Sequence, residues 1–222
     1  MLYRSDKLRS FLYEIFVNLK DDYDFTMVIC GDTGTGKSML ALSLLEEWYV
    51  NILKQKLTLD HARLMTSDIE LWKKNYVDLE KFGMNIFDEA AVGLGSKQHM
   101  SKLTQEIEQL FNIFRCENYF NVLIIPSFFY LNKYFRDNRV RGLIWVDKRG
   151  QYKYYTKNQI EYINAVNQSK RLKRVNVVPA FHRNRFPDNS GILKQAYKDN
   201  KAAFVRQFKN KFLEDNKEKK PK

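Results

Sequence analysis

The amino-acid sequence predicts an α/β fold. A mostly parallel sheet carries helices on both faces, an antiparallel hairpin closes one edge, and a basic helical extension follows at the C-terminus. Three observations predict it. Apolar runs at residues 26–30, 84–87 and 121–125 have the length of buried strands and alternate with segments of helical apolar spacing. The first run passes directly into Gly31-Asp32-Thr33-Gly34-Thr35-Gly36-Lys37-Ser38, a complete G-x-x-x-x-G-K-S, and then into a helical pattern. Residues 142–146 and 152–156 flank Lys148-Arg149-Gly150-Gln151, which reads as a hairpin turn.

Taken in chain order, residues 5–19 place Leu8, Leu12, Ile15, Phe16 and Leu19 on one helical face, capped near Ser5. Asp21-Asp22-Tyr23-Asp24 ends that helix before the first strand. From Ser38 a second helix lines up Leu40, Ala41, Leu44, Trp48 and Ile52. Residues 62–65 are a candidate strand, and Ser67-Asp68-Ile69-Glu70 is a capping-box signature opening a short helix as far as Asn75. Residues 96–118 read as one long helix with Leu103, Ile107, Leu110, Phe111 and Phe114 inward. Residues 128–137 are aromatic and helical in part, residues 175–179 read as a brief extended piece, and residues 181–189 as loop. Ser190 caps a last helix bearing Leu193, Tyr197, Phe204, Phe208 and Phe212, with lysines and arginines opposite. Residues 216–222 are expected to be disordered. The chain thus divides into an N-terminal helix (1–24), a core (25–160) and a basic extension (161–222).

Composition narrows the function. A hydrophobic content of 44% supplies a substantial core for one domain. Cys30 and Cys116 make no disulfide framework and suit a reducing compartment, so a cytoplasmic location is expected. His61, His99 and His182 lack metal-ligand spacing. The longest apolar run, residues 122–131, contains Pro126 and is too short to span a bilayer, and the first ten residues are charged rather than signal-like. Nearly all of the net charge of +12 falls in residues 165–222, which points to a polyanionic partner, nucleic acid above all. Lys170, Arg171, Lys173 and Arg174 are its densest group. Contacts there are expected to be to phosphates and indifferent to sequence. The apolar face of the last helix is alternatively a subunit-docking surface.

The glycine loop carries the chemistry. Its backbone N–H groups can turn inward around a polyphosphate, and the helix beginning at its end adds a favourable dipole. Residues Gly31, Asp32, Thr33, Gly34, Thr35, Gly36, Lys37, Ser38 and Met39 are the expected nucleotide contacts. Lys37 neutralises the β- and γ-phosphates of ATP, and the Ser38 hydroxyl takes one Mg²⁺ position. The strand at residues 84–87 ends in Asp88-Glu89, at the sheet edge where the loop also emerges. Asp88 would hold the metal's hydration shell and Glu89 would orient or deprotonate the attacking water. Ser127, after the strand at residues 121–125, is placed as a γ-phosphate sensor or as an ordinary turn residue. A further cation for the transferred phosphoryl group is sought among Arg115, Arg136, Arg139 and Arg141, with Arg115 and Arg139 foremost. An arginine donated by a neighbouring subunit would make catalysis depend on a ring.

The order of these motifs resembles the FtsK/HerA-type DNA-pumping ATPases, P-loop NTPases of the ASCE/RecA-like kind. That group includes viral genome-packaging ATPases and zonular-occludens-toxin-like phage assembly proteins. The resemblance covers residues 26–160 and rests on the loop, on Phe87-Asp88-Glu89-Ala90, and on the run from Phe114-Arg115 through Val122-Leu123-Ile124-Ile125-Pro126-Ser127 to Arg136 and Arg139. It is similar above all to small ATPases of archaeal viruses and plasmids. It implies a homo-hexameric ring that threads double-stranded DNA, fed with ATP and Mg²⁺, with a capsid or portal-like protein as docking partner. Ser127 stands where the group usually has glutamine. The absence of a membrane segment favours a packaging motor over an extrusion one. Two other classes remain open: a nucleotide-gated scaffold on DNA or capsid with little turnover, and a P-loop kinase of a small metabolite.

Overall fold

In the computed structural model, residues 4–95, 101–170, 175, 179–180, 182–185 and 191–218 are described. Strand β1 (Phe25–Gly31) runs through the middle of a seven-stranded sheet, between β4 (Phe120–Ile125) and β5 (Val140–Lys148), both parallel to it. Beyond β4 lie β3 (Met84–Asp88) and then β2 (Met65–Thr66), again parallel. Beyond β5, β6 (Gln151–Thr156) returns antiparallel across the expected hairpin, and β7 (His182–Arg185) pairs antiparallel with β6. The order is β2-β3-β4-β1-β5-β6-β7, so the α/β class and the mostly parallel sheet are as the sequence predicts.

Alternate side chains of a strand leave opposite faces, so a strand buried on both sides feeds two cores. Met27 and Ile29 of β1 enter one apolar cluster; Val28 and Cys30 enter the other. The first cluster holds α1 (Arg4–Lys20) through Leu8, Leu12 and Ile15, α2 (Lys37–Glu47) through Leu40 and Leu44, and the start of α7 (Ile192–Glu218) through Leu193. The second holds α3 (Ile69–Val77) through Trp72, α5 (Lys102–Ile113) through Ile107 and Phe111, and α6 (Lys157–Lys170) through Ile160 and Ile163. A short α4 (Ala91–Leu94) follows β3.

Several boundaries differ from the sequence reading, each for a local reason. Of the helix read over 96–118, residues 96–100 lie outside the described residues; α5 begins at Lys102, where Ser101 caps it by accepting the Thr104 N–H at 3.2 Å, and it ends at Ile113 before a 3₁₀ turn, Phe114–Glu117. The cap of α3 is Asp68 rather than Ser67: its carboxylate accepts the N–H groups of Glu70 and Leu71 at 2.9 and 3.2 Å. Residues 62–64 belong to a 3₁₀ turn, and the second strand is only Met65–Thr66. Strand β7 lies where the sequence reads as loop; His-Arg-Asn-Arg offers no apolar pattern, and it is an edge strand held by backbone pairing to β6. Helix α6 shows few buried apolar positions and runs through residue 160, where the core and extension were divided. Residues 216–218, expected to be disordered, continue α7.

The two cysteines report on this packing. Cys30 is fully buried on β1, where burial pushes its thiol up to about 12, against smaller opposing pulls from the Phe128 backbone and Lys37. Cys116 is exposed. At about pH 8 the buried thiol holds almost no thiolate, so a thiol reagent should label Cys116 alone in the native chain and both cysteines after denaturation. Rapid native labelling of Cys30, read by peptide mass spectrometry, would contradict the central position of β1.

Candidate nucleotide-binding site

Strand β1 delivers the loop to the C-terminal edge of the parallel strands. Gly31 leaves the strand with φ +146, and a Cβ there would sit 2.4 Å from the Val146 carbonyl oxygen, so only glycine passes. Gly36 is the N-cap of α2 with φ 97, a left-handed turn that sets the helix's first N–H groups facing the cleft mouth. Between them Thr35 Oγ1 donates to the Asp32 carbonyl at 2.8 Å. Lys37 folds back, its Nζ donating to the Gly31 and Asp32 carbonyls at 2.7 and 2.8 Å. Partial burial lowers its pKa, opposed by the nearby Cys30, Glu89, Asp88 and Asp32. It is a partly desolvated cation bonded to neutral carbonyls, and a phosphate oxygen is the better partner.

The end of β3 meets this loop from two strands away. Ser38 Oγ donates to Asp88 Oδ1 at 3.4 Å, and Asp88 is only 2% exposed. Ser67, released from capping α3, reaches Asp88 Oδ2 at 3.5 Å. Glu89 follows with φ +71, a left-handed backbone that a non-glycine residue adopts only under strain. The next N–H, from Ala90, bonds the Ile124 carbonyl of β4 at 2.9 Å and fixes that turn. The Glu89 side chain is 53% exposed beside the cleft. The loop, Met39, Asp88, Glu89 and the end of β4 bound a cavity of about 310 Å³. The residues expected to cradle phosphate and metal therefore face one space, except that Gly31, Asp32 and Thr35 contribute to the loop's own bonding rather than to the cavity wall.

Sequence reasoning missed two members of this site. Tyr197 and Lys201 sit one turn apart on α7, and both reach Asp88. The Tyr197 hydroxyl donates to Asp88 Oδ2, and Lys201 Nζ lies 2.7 Å from the same oxygen, 3.0 Å from the Tyr197 hydroxyl and 3.8 Å from Glu89 Oε1. Burial and then the Asp88 charge push the Tyr197 phenol up to about 12. Burial works against the Lys201 charge, but the Asp88 carboxylate and its hydrogen bonds outweigh it and hold the ammonium above its usual range. The i, i+4 spacing on a helix already called amphipathic was the available signal, and it pointed only to a shared face.

The remaining candidates lie elsewhere. Ser127 opens a 3₁₀ turn, Phe128–Tyr130, with its carbonyl accepting the Tyr130 N–H at 3.0 Å, while Ile124, Ile125 and Pro126 form the cavity wall on that side. Arg115 is exposed in the 3₁₀ turn before β4, and Arg139 and Arg141 stand at the start of β5, all at the opposite sheet edge from the loop. Arg139 is held by Asp24 Oδ2 at 3.4 Å, by the Tyr134 hydroxyl at 3.1 Å and by Asn112. Arg141 donates to the Asp24 carbonyl at 3.0 Å, and Arg136 pairs with Asp137. Lys170 closes α6, whereas Arg171, Lys173 and Arg174 lie outside the described residues.

A divalent cation fits the chemistry present. Ser38 supplies a hydroxyl and Asp88 a nearly buried carboxylate on which an ammonium already stands as counter-charge. No cluster of three or more His, Cys, Asp or Glu exists among the described residues, so nucleotide oxygens and water would complete the shell, as suits Mg²⁺. Among the described residues no helix is long and apolar enough to cross a membrane.

No protein-family model matches the sequence, and no curated protein matches it either. Solved structures do. The genome-packaging NTPase of Sulfolobus turreted icosahedral virus 2, in complex with AMP, is 15% identical over 63% of this chain and 95% of that one, with a TM-score of 0.40. The same protein with ATP-gammaS gives 13% identity over 62% and 94%, with a TM-score of 0.43. The N-terminal domain of zonular occludens toxin from Neisseria meningitidis gives 14% identity over 79% and 98%, with a TM-score of 0.46. These neighbours carry the names of the branch that the motif order resembles.

Proposed function

We propose that this chain is a Mg²⁺-dependent ATPase that moves double-stranded DNA as part of a homo-oligomeric ring, a hexamer, in the manner of viral genome-packaging motors. One observation carries the reading: Ser38 Oγ stands 3.4 Å from Asp88 Oδ1 in a cavity shared with Lys37 and Glu89. The loop binds the triphosphate, Lys37 leaves its carbonyls for the β- and γ-phosphates, and Ser38 with Asp88 holds the metal. When bound, such an ion would neutralise charge on the triphosphate. Glu89 orients the attacking water and takes its proton. A capsid or portal-like protein is the proposed docking partner, and the host cytoplasm the proposed location. A metabolite kinase would need an arginine lid over the phosphates, and the Arg136–Arg141 cluster lies at the other end of the sheet.

ATP hydrolysis measured with and without linear duplex DNA across ionic strength tests this. Magnesium-dependent turnover should rise with DNA, and the stimulation should fall steeply as salt increases, because phosphate contacts release counterions. Turnover indifferent to DNA at every salt concentration would remove the motor. A stable ring without turnover would leave the nucleotide-gated scaffold.

A further inference from the structure

The geometry points to a self-inhibitory latch: the start of α7 holds Tyr197 and Lys201 on Asp88, in the place the metal takes, and it must leave before a metal-bound nucleotide can settle. This rests on the nucleotide-site reading above and adds a gate to it.

The contacts fall on the atoms the metal needs. Tyr197 donates to Asp88 Oδ2, so its hydroxyl occupies the carboxylate whose other oxygen accepts from Ser38. Lys201 takes the same Oδ2 at 2.7 Å and leans toward Glu89 at 3.8 Å. One ammonium thus engages both carboxylates of the doublet. A magnesium ion demands near-octahedral oxygen ligands at about 2.1 Å, or one water layer beyond, and cannot share that space with an ammonium and a phenol. The two cations are alternatives for one carboxylate.

The latch is also shallow. α7 spans 27 residues, but its anchorage in the first cluster is Leu193, Tyr197 and the half-buried Ala196. Farther along, Val205 is 42% exposed, Phe208 61% and Leu213 59%. A helix docked through its first turns can undock without opening the sheet. Removing Lys201 frees Asp88 for the metal, and a divalent ion with its triphosphate replaces the lost charge pairing. The energy of binding would then be spent partly on releasing a basic, aromatic-bearing helix.

Calorimetric titration of the full chain with ATP-gammaS tests the latch. If it is closed about nine-tenths of the time, Lys201→Ala should bind the nucleotide with Mg²⁺ about tenfold tighter than the wild type. With EDTA in place of Mg²⁺ the two should bind alike. Tyr197→Phe keeps the ring packed and removes only the hydroxyl, so it should shift affinity in the same direction by less. Hydrogen exchange at residues 192–204 of the wild type should accelerate when Mg²⁺ and nucleotide are added together. Weaker Mg²⁺-dependent binding by Lys201→Ala, or new protection of that segment, would overturn the latch and make Lys201 a nucleotide ligand. No binding by either chain would overturn the nucleotide site and the latch together, whereas tight binding at equal affinity would overturn the latch alone.

Discussion

Glu89→Gln should bind ATP with Mg²⁺ almost as the wild type does and hydrolyse it about 10²- to 10⁴-fold more slowly. The amide matches the carboxylate in shape, so it keeps the left-handed turn at φ +71 and the Ala90 bond to Ile124 that fixes it. It removes the ability to take a proton, together with the charge that Lys201 Nζ approaches at 3.8 Å. Phosphate release in single turnover, beside a calorimetric ATP-gammaS titration, separates the two properties. Asp88→Asn is the informative contrast. Asp88 is nearly buried and accepts from Ser38, Ser67, Tyr197 and Lys201, so its neutral substitute weakens metal binding and disturbs α7 at once. A Glu89→Gln chain turning over within about threefold of wild type would assign the water to another group.

The glycine loop was legible because its demands on the backbone are local. Eight consecutive residues fix a strand exit, a turn and a helix start, and each glycine answers a backbone demand such as the clash at Val146. The Asp88-Glu89 doublet was legible for a related reason: a buried strand ending in two carboxylates has few structural uses. The sheet followed from three apolar runs, yet β7 did not, because an edge strand of four polar residues is held by backbone pairing that leaves no side-chain pattern. What stayed hidden was the return of α7. Tyr197 lies 109 residues from Asp88 and reads, by spacing, as one more apolar position on an amphipathic helix. Periodicity tells which face of a helix is covered, never by what. The arginines were ambiguous for the same reason: Arg115 and Arg139 stood foremost of four on paper, and only the fold separated Arg139, committed to Asp24, from the exposed Arg115.

That separation leads to the second large effect. In the proposed ring, Arg115→Ala should lower ATPase activity about 10³-fold, the usual contribution of an arginine finger. Arg115 precedes β4 while the cavity lies past its end, a strand of six residues or about 20 Å away, so it cannot serve its own subunit's nucleotide. It can serve a neighbour's in a ring whose interface sets the loop of one subunit against the far sheet edge of the next. Mixing then gives a signature no structural role shares. Arg115→Ala supplies an intact loop and Glu89, and Glu89→Gln supplies an intact finger. In equal mixture roughly a quarter of interfaces join the two good halves, so two inactive chains should recover a substantial fraction of wild-type turnover together. Arg139 would not complement in this way. Its guanidinium is 11% exposed against an Asp24 carboxylate 9% exposed, and removing one partner of so buried a pair costs about 3–5 kcal/mol of stability whichever chain carries it. Failure of the mixture to recover at any ratio would demand that finger and base act within one subunit, which the length of the sheet forbids, and Arg115 would drop out of the reaction.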